Sequence, residues 1–301
     1  MLFERFAKVE PILKGWSEDK KYCVTCYDGT KYLLRITPIE RFEVRKHLFE
    51  MMERVAALGV PMCKPVEFGT CTNGVYALHS WIDGEDLIDA LPKLPEAKQY
   101  SLGVKSGEIL RVIHSILPPE NEVDFLAYKK NWAKRFNAKA DRNIKMCHDC
   151  DFKVVGNDHF VKYIDQNREL IENRPQCFQH GDYHSGNMMI ENGSGELQII
   201  DFDRLDYGDP WEEFNRIVWS TQLSSHFATG QLDGYFGGEP PLEFFKLLAF
   251  YISSNVVATV SWAITFGQDE LDVAVNQVND ILKWHDNMNN PVPSWYLKNY
   301  K

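Results

Sequence analysis

Residues 22–27 and 30–36 are two runs rich in apolar, aromatic and β-branched residues, broken at Asp28-Gly29. Two β-rich runs joined by Asp-Gly predict a tight β-hairpin. Ahead of it, Leu2, Phe3, Phe6 and Val9 share one face of a short amphipathic helix over 2–9, and 10–15 reads as a strand ending at Gly15. The pattern then changes to that of a helix over 40–58. Phe42, Leu48, Phe49, Met52, Val55, Ala56 and Leu58 form its apolar stripe, and Gly59 stops it. Strands at 66–69 and 75–81 flank the turn Thr72-Asn73-Gly74.

The rest of the chain is mostly helical in pattern, at 96–116, 125–144, 159–171, 241–266 and 269–287. Asp209-Pro210 reads as the cap and first turn of another helix that runs through Ile217. Trp262, Phe266 and Trp284 are expected to pack in the core. Short apolar runs at Cys177-Phe178, 188–190 and 197–200 predict brief strands around a polar loop. The pattern therefore predicts an α+β fold, with a small antiparallel sheet and one helix first and a mainly helical part after it.

Composition narrows the partners. The 301 residues are 44% hydrophobic and 25% charged, and carry a net charge of −10. Such a surface repels nucleic acid and suits a cationic small molecule. No apolar run suggests a membrane span or a signal peptide, so a cytoplasmic protein is expected. The seven cysteines read as reduced thiols. The pairs Cys23/Cys26 and Cys147/Cys150 lack the glycine-rich turn of a zinc knuckle.

The chemistry is concentrated in Gln179-His180-Gly181-Asp182-Tyr183-His184-Ser185-Gly186-Asn187, followed by Ile199-Ile200-Asp201-Phe202-Asp203. Asp182 and Asn187 stand five positions apart, the spacing of base and metal-binding amide in a kinase catalytic loop, and Asp201 stands where a kinase places its main magnesium carboxylate. In that reading Asp182 accepts the proton of an acceptor hydroxyl, while Asn187 and Asp201 offer Mg2+ the hard oxygen ligands it prefers. His180 and His184 are expected to fix the loop by hydrogen bonds. Asp203 and Asp206 are expected to tune the site from behind.

The run His180 to Asn187, with the Ile-Ile-Asp-Phe-Asp that follows it, resembles the aminoglycoside phosphotransferase family and its choline-kinase and macrolide-kinase relatives. The family's loop has the form His-Gly-Asp-x-His-x-x-Asn, and His180, Gly181, Asp182, His184 and Asn187 fill every fixed position. The resemblance implies a protein-kinase-like bilobal fold, a nucleotide-binding lobe over 1–80 and a catalytic and substrate lobe over 81–301. It further implies ATP or GTP as donor, a small-molecule hydroxyl as acceptor, an association with antibiotic resistance, and a monomer or dimer. In that layout Ser17 lies in the nucleotide-covering loop and Arg35 occupies the place of the phosphate-gripping lysine. Glu50 (or, second, Glu53) is the helix carboxylate that orients Arg35, and the backbone at Ser80, Trp81 and Ile82 meets the purine. Arginine for lysine, and a covering loop with a single glycine, keep open a rival reading of a nucleotide-binding pseudokinase or regulatory module. No Asp-Phe-Gly to Ala-Pro-Glu segment follows Asp201, which argues against a protein substrate.

Overall fold

The structure, a computed structural model, describes residues 2–13, 19–118, 125–204 and 206–300. Ser17 falls outside them. In chain order the elements are β1 (Lys8–Ile12), β2 (Lys20–Thr25), β3 (Lys31–Thr37), α1 (Phe42–Ala57), β4 (Pro65–Cys71), β5 (Gly74–Ser80), β6 (Gly84–Asp86) and α2 (Leu87–Ala90). Next come α3 (Glu96–Ile113), α4 (Phe125–Asp149), α5 (Asn157–Gln166), β7 (Cys177–Gln179), β8 (Met188–Glu191), β9 (Leu197–Ile199) and β10 (Asp206–Gly208). The chain closes with α6 (Ile217–Leu223), α7 (Ser225–Phe236), α8 (Leu242–Ala263) and α9 (Gln268–Trp284). Two compact units result. One is Met1–Ala90 with Asn187–Leu205, the other Leu91–Gly186 with Asp206–Lys301.

The first unit is built on the predicted hairpin. Gly29 takes φ 89°, and the Thr30 N–H donates to Asp28 Oδ1 at 2.9 Å. β2 and β3 then pair antiparallel in a five-stranded sheet of order β1-β2-β3-β5-β4. Alternate residues Val24, Leu34, Ile36 and Leu78 point into its core with Phe6. The amphipathic helix expected at the start is instead a single 3-10 turn, Leu2–Arg5. The reason is pairing: Lys8 and Val9 are already strand, opposite Thr25 and Val24. α1 buries Leu48, Phe49, Met52 and Val55, and its Phe42 and Phe49 rings sit 5.5 Å from Phe68 of β4. A second sheet, β6-β8-β9, completes the unit.

The second unit is helical around α8, whose Leu247, Phe250, Tyr251 and Val257 join Trp132, Phe136, Ile164 and Ile171 in one cluster. Sequence reading found no membrane-length apolar run. The helical stretch Leu242–Phe266 does reach that length, with a mean hydropathy of 1.6, but 72% of its most apolar window is buried inside the protein, which is the mark of a core helix. Trp262 and Phe266 depart from expectation: they are 48% and 47% exposed, with ring centroids 4.4 Å apart. α7 was not predicted. It packs on α3 through Gly103 and Gly107 on one side and Gly230 and Gly234 on the other, where a Cβ would collide with a carbonyl of the opposite helix.

Candidate active site

In the first unit the two proposed metal ligands leave the same end of one hairpin. β8 and β9 pair with Met188 opposite Ile199, and the Ile200 N–H donates to the Asn187 carbonyl at 3.0 Å. Asn187 thus sits just before β8 and Asp201 just after β9. Asp201 adopts φ 66°, a left-handed conformation that Asp tolerates better than most residues, and its side chain is 46% exposed. The Asp203 N–H closes a tight turn onto the Asp201 carbonyl at 2.9 Å.

Arg35 of β3 reaches this hairpin. Its Nη1 lies 3.6 Å from Asp201 Oδ1, and its Nη2 bonds Asp203. Nη2 and Nε also donate to Asp19 Oδ2, at 2.9 and 3.2 Å. The expected partner is not there. Glu50 is half exposed and faces Lys46 one turn away at 3.8 Å, and Glu53 is exposed. α1 contributes a cation instead: Arg45 bonds Asp203 Oδ1 at 2.9 Å and Asp19 Oδ2 at 2.5 Å. Glu50 lies off the buried stripe, whereas Arg45 lies on it, three residues after Phe42 and four before Phe49. That lone charge on an apolar face was the signal available in the sequence. Burial pushes the Asp203 carboxyl up, but Arg35 and Arg45 more than offset this and hold it below the usual range.

Ser80 also differs from expectation. Its N–H donates to the Lys64 carbonyl and its hydroxyl accepts from the Lys64 N–H, both at 2.8 Å. The Ser80 N–H is therefore committed within the protein. Trp81 and Ile82, in irregular backbone and partly exposed, follow it.

In the second unit the loop bearing Asp182 is anchored from three sides. Gly181 takes φ 83°, a conformation suited to glycine, and its N–H donates to Glu213 Oε1 at 2.7 Å. Glu213 is buried, with the equally buried His114 3.5 Å from its other oxygen, and His114 Nδ1 meets the Tyr235 hydroxyl at 2.9 Å. The Tyr183 hydroxyl donates to the Ser106 carbonyl at 2.8 Å, and the Ser185 N–H donates to Ser220 Oγ at 3.1 Å. His180 is buried, and its Nδ1 accepts from the Asp182 N–H at 3.3 Å. His184 Nδ1 accepts from the Gly186 N–H at 3.0 Å. Both histidines therefore fix the loop as expected of them.

The Asp182 carboxylate is one-fifth exposed. Arg216 Nε lies 3.3 Å from its Oδ1, and His184 Nε2 3.8 Å from the same oxygen. Arg216, Glu213 and His114 were not singled out from sequence as parts of the site, because nothing local marks residues 32 and 34 positions after their loop partners, or a histidine far upstream of the loop, as its supports. Asp206 pairs with Gln179 across β10 and β7, and its carboxylate lies 3.3 Å from Arg135.

A sequence profile of the Phosphotransferase enzyme family (APH) matches residues 8–245. The chain belongs to that family. No curated protein sequence matches it. Among solved structures, the fold is similar to the GDP complex of aminoglycoside 2'-phosphotransferase-IIIa, at 14% identity and TM-score 0.66 over 95% of this chain and 94% of that one. A choline/ethanolamine kinase family protein from Mesorhizobium loti matches at 14% identity and TM-score 0.65, over 95% and 92% of the two chains. Amicoumacin kinase hAmiN in complex with AMP-PNP, Ca2+ and Ami matches at 14% identity and TM-score 0.61, over 94% and 90%. An antiparallel sheet at the N-terminal end and a helical C-terminal part are thus the kinase-like fold of this family.

Proposed function

We propose that this phosphotransferase moves the γ-phosphoryl group of ATP or GTP to a hydroxyl of a small molecule, with Asp182 as the base. The anchored loop carries the reading: three sets of contacts fix the backbone around Asp182 and leave its carboxylate partly exposed. A base that orients and accepts a hydroxyl proton needs that combination of rigidity and access. Asn187 and Asp201 supply an amide oxygen and a carboxylate at one end of a hairpin, a donor set that fits Mg2+, which is commonly held by few protein oxygens together with water and phosphate. When bound, Mg2+ would neutralise charge on the phosphates. Arg35 faces Asp201 and adds positive charge beside it.

The net charge of −10 supports a cationic, aminoglycoside-like acceptor. Arg216 qualifies that reading. A guanidinium 3.3 Å from the base disfavours an ammonium group next to the accepting hydroxyl. The amino groups of such a substrate would therefore lie away from the accepting hydroxyl. Complexes of similar folds with nucleotides and with gentamicin support the donor and acceptor classes.

One observation favours the rival reading of a nucleotide-binding module without transfer: Arg35 is already engaged by three carboxylates. Turnover separates the two. A panel of amino-alcohols and antibiotics with Mg·ATP or Mg·GTP should reveal at least one phosphorylated product. Asp182→Ala should keep nucleotide affinity and lower turnover at least about a hundredfold. Full activity in that variant would end the assignment of Asp182, and nucleotide binding without turnover across the panel would favour the rival.

A further inference from the structure

Arg35, Arg45, Asp19 and Asp203 form a ring in which each arginine meets both carboxylates. Their formal charges sum to zero. The four side chains are only 13%, 10%, 1% and 21% exposed, so removing any one leaves its partners charged and poorly solvated. Thr37 secures the set from β3, donating its hydroxyl to Asp19 Oδ1 at 3.1 Å.

The guanidinium of Arg35 is planar, so its orientation is set once two of its nitrogens are held. Nε and Nη2 are held by Asp19 and Asp203, which turns Nη1 toward Asp201. Those two carboxylates are in turn shared with Arg45 of α1. We infer that Arg45 is a positioning residue of the nucleotide site: by holding Asp19 and Asp203 it fixes Arg35 with Nη1 turned to Asp201. A helix cation here takes the part that sequence reading gave to a helix glutamate. The inference rests on the proposed nucleotide chemistry, and its consequence is specific to phosphate. Disturbing Arg45 should weaken recognition of the triphosphate without weakening recognition of the nucleoside.

The test is calorimetric binding of Mg·ATP and Mg·GTP, compared with adenosine and guanosine, to wild type, Arg45→Met, Arg45→Lys, Asp19→Asn and the double variant Arg45→Met/Asp19→Asn. Each protein's thermal midpoint is recorded alongside. Arg45→Met leaves Asp19 and Asp203 to Arg35, which also faces Asp201, and should weaken the triphosphate about tenfold or more, with nucleoside affinity unchanged. The double variant restores neutrality and should bind the triphosphate more tightly than Arg45→Met does, a coupling expected of charges in contact. Arg45→Lys should fall between wild type and Arg45→Met. If Arg45→Met does not fold, the lysine and double variants carry the same comparison.

Equal losses for nucleoside and triphosphate, or a double variant no better than the single, would show a merely structural arginine and overturn the inference. Unchanged triphosphate binding in Arg45→Met would do the same while leaving the proposed function intact. A wild type that binds neither nucleotide would remove the proposed function and this inference with it.

Discussion

Asp209 has no exposed surface, and Arg174 is its countercharge. Arg174 Nε and Nη2 donate to the two carboxylate oxygens at 2.6 and 3.2 Å, and the guanidinium lies 3.9 Å from the Trp211 ring centroid. The Tyr251 hydroxyl and the Trp211 N–H complete the carboxylate's partners at 2.7 and 3.0 Å. Burial, and then Asp209, raise the Tyr251 phenol well above its ordinary range, so it remains a donor. Breaking a buried pair from one side typically costs about 3–5 kcal/mol. Arg174→Met should therefore lower the urea unfolding free energy by about that amount, and Arg174→Met/Asp209→Asn should recover much of it by removing the stranded charge. The sequence showed Asp209 only as a helix cap; in the structure the segment that follows is a 3-10 stretch, Glu212–Arg216, capped at Trp211, and Asp209 instead accepts from the Trp211 N–H ahead of it. Its partner Arg174 lies 35 positions upstream, and no local pattern joins them.

The pairing of α3 with α7 shows the same limit for whole elements. Most elements announced themselves: the β2–β3 hairpin through Asp28-Gly29, α1 through its apolar stripe, α8 through its length. Each is specified by residues near one another in the chain. α7 is not, because Phe227, Ala228, Thr229, Gly230, Gln231, Leu232 and Gly234 are all buried and leave no polar face to mark a helical period. Its local signals are at the ends, with Ser224 accepting from the Phe227 N–H at 3.0 Å and Gly237 at φ 71°. Its glycines lower helix propensity and have meaning only against those of α3. On an exposed helix, Gly→Ala stabilises by about 1 kcal/mol. Here the sign should reverse. In Gly107→Ala the new methyl meets the Gln231 carbonyl oxygen and the Tyr235 N, and in Gly230→Ala it meets the Tyr100 carbonyl oxygen. Each should lose about 1–3 kcal/mol, the range for overpacking a tight contact, visible as a lowered thermal midpoint. A raised midpoint would show that the two helices can separate at little cost.

For the molecule as a whole, two of the buried histidines, His79 in one unit and His285 in the other, make stability depend on pH. Burial lowers His79 to about 4, helped by the nearby Arg35 and Arg45 and opposed by Asp203. Burial likewise lowers His285 to about 4, opposed by the hydrogen bond between its Nδ1 and the Asn290 carbonyl at 3.0 Å. Unfolded, both titrate near their ordinary value of 6.5. Between about pH 6.5 and 4 the unfolded chain therefore binds protons that the folded one refuses, and stability falls as pH falls. Their contribution is fully present above 6.5 and lost progressively below it. Each histidine contributes a slope approaching roughly 1.4 kcal/mol per pH unit in the middle of that window, or about 2 kcal/mol between pH 7 and pH 5. Urea unfolding at those two pH values measures the sum and its partition. If the two units unfold in one transition, it should lose about 4 kcal/mol on these histidines' account, and His79→Gln and His285→Gln should each remove about half of that pH dependence. If the units unfold separately, two transitions should each lose about 2 kcal/mol, and each substitution should flatten one of them and leave the other unchanged. Either result fixes the cooperativity of the fold, whereas a pH dependence that neither substitution alters would mean that both imidazoles protonate in the folded state.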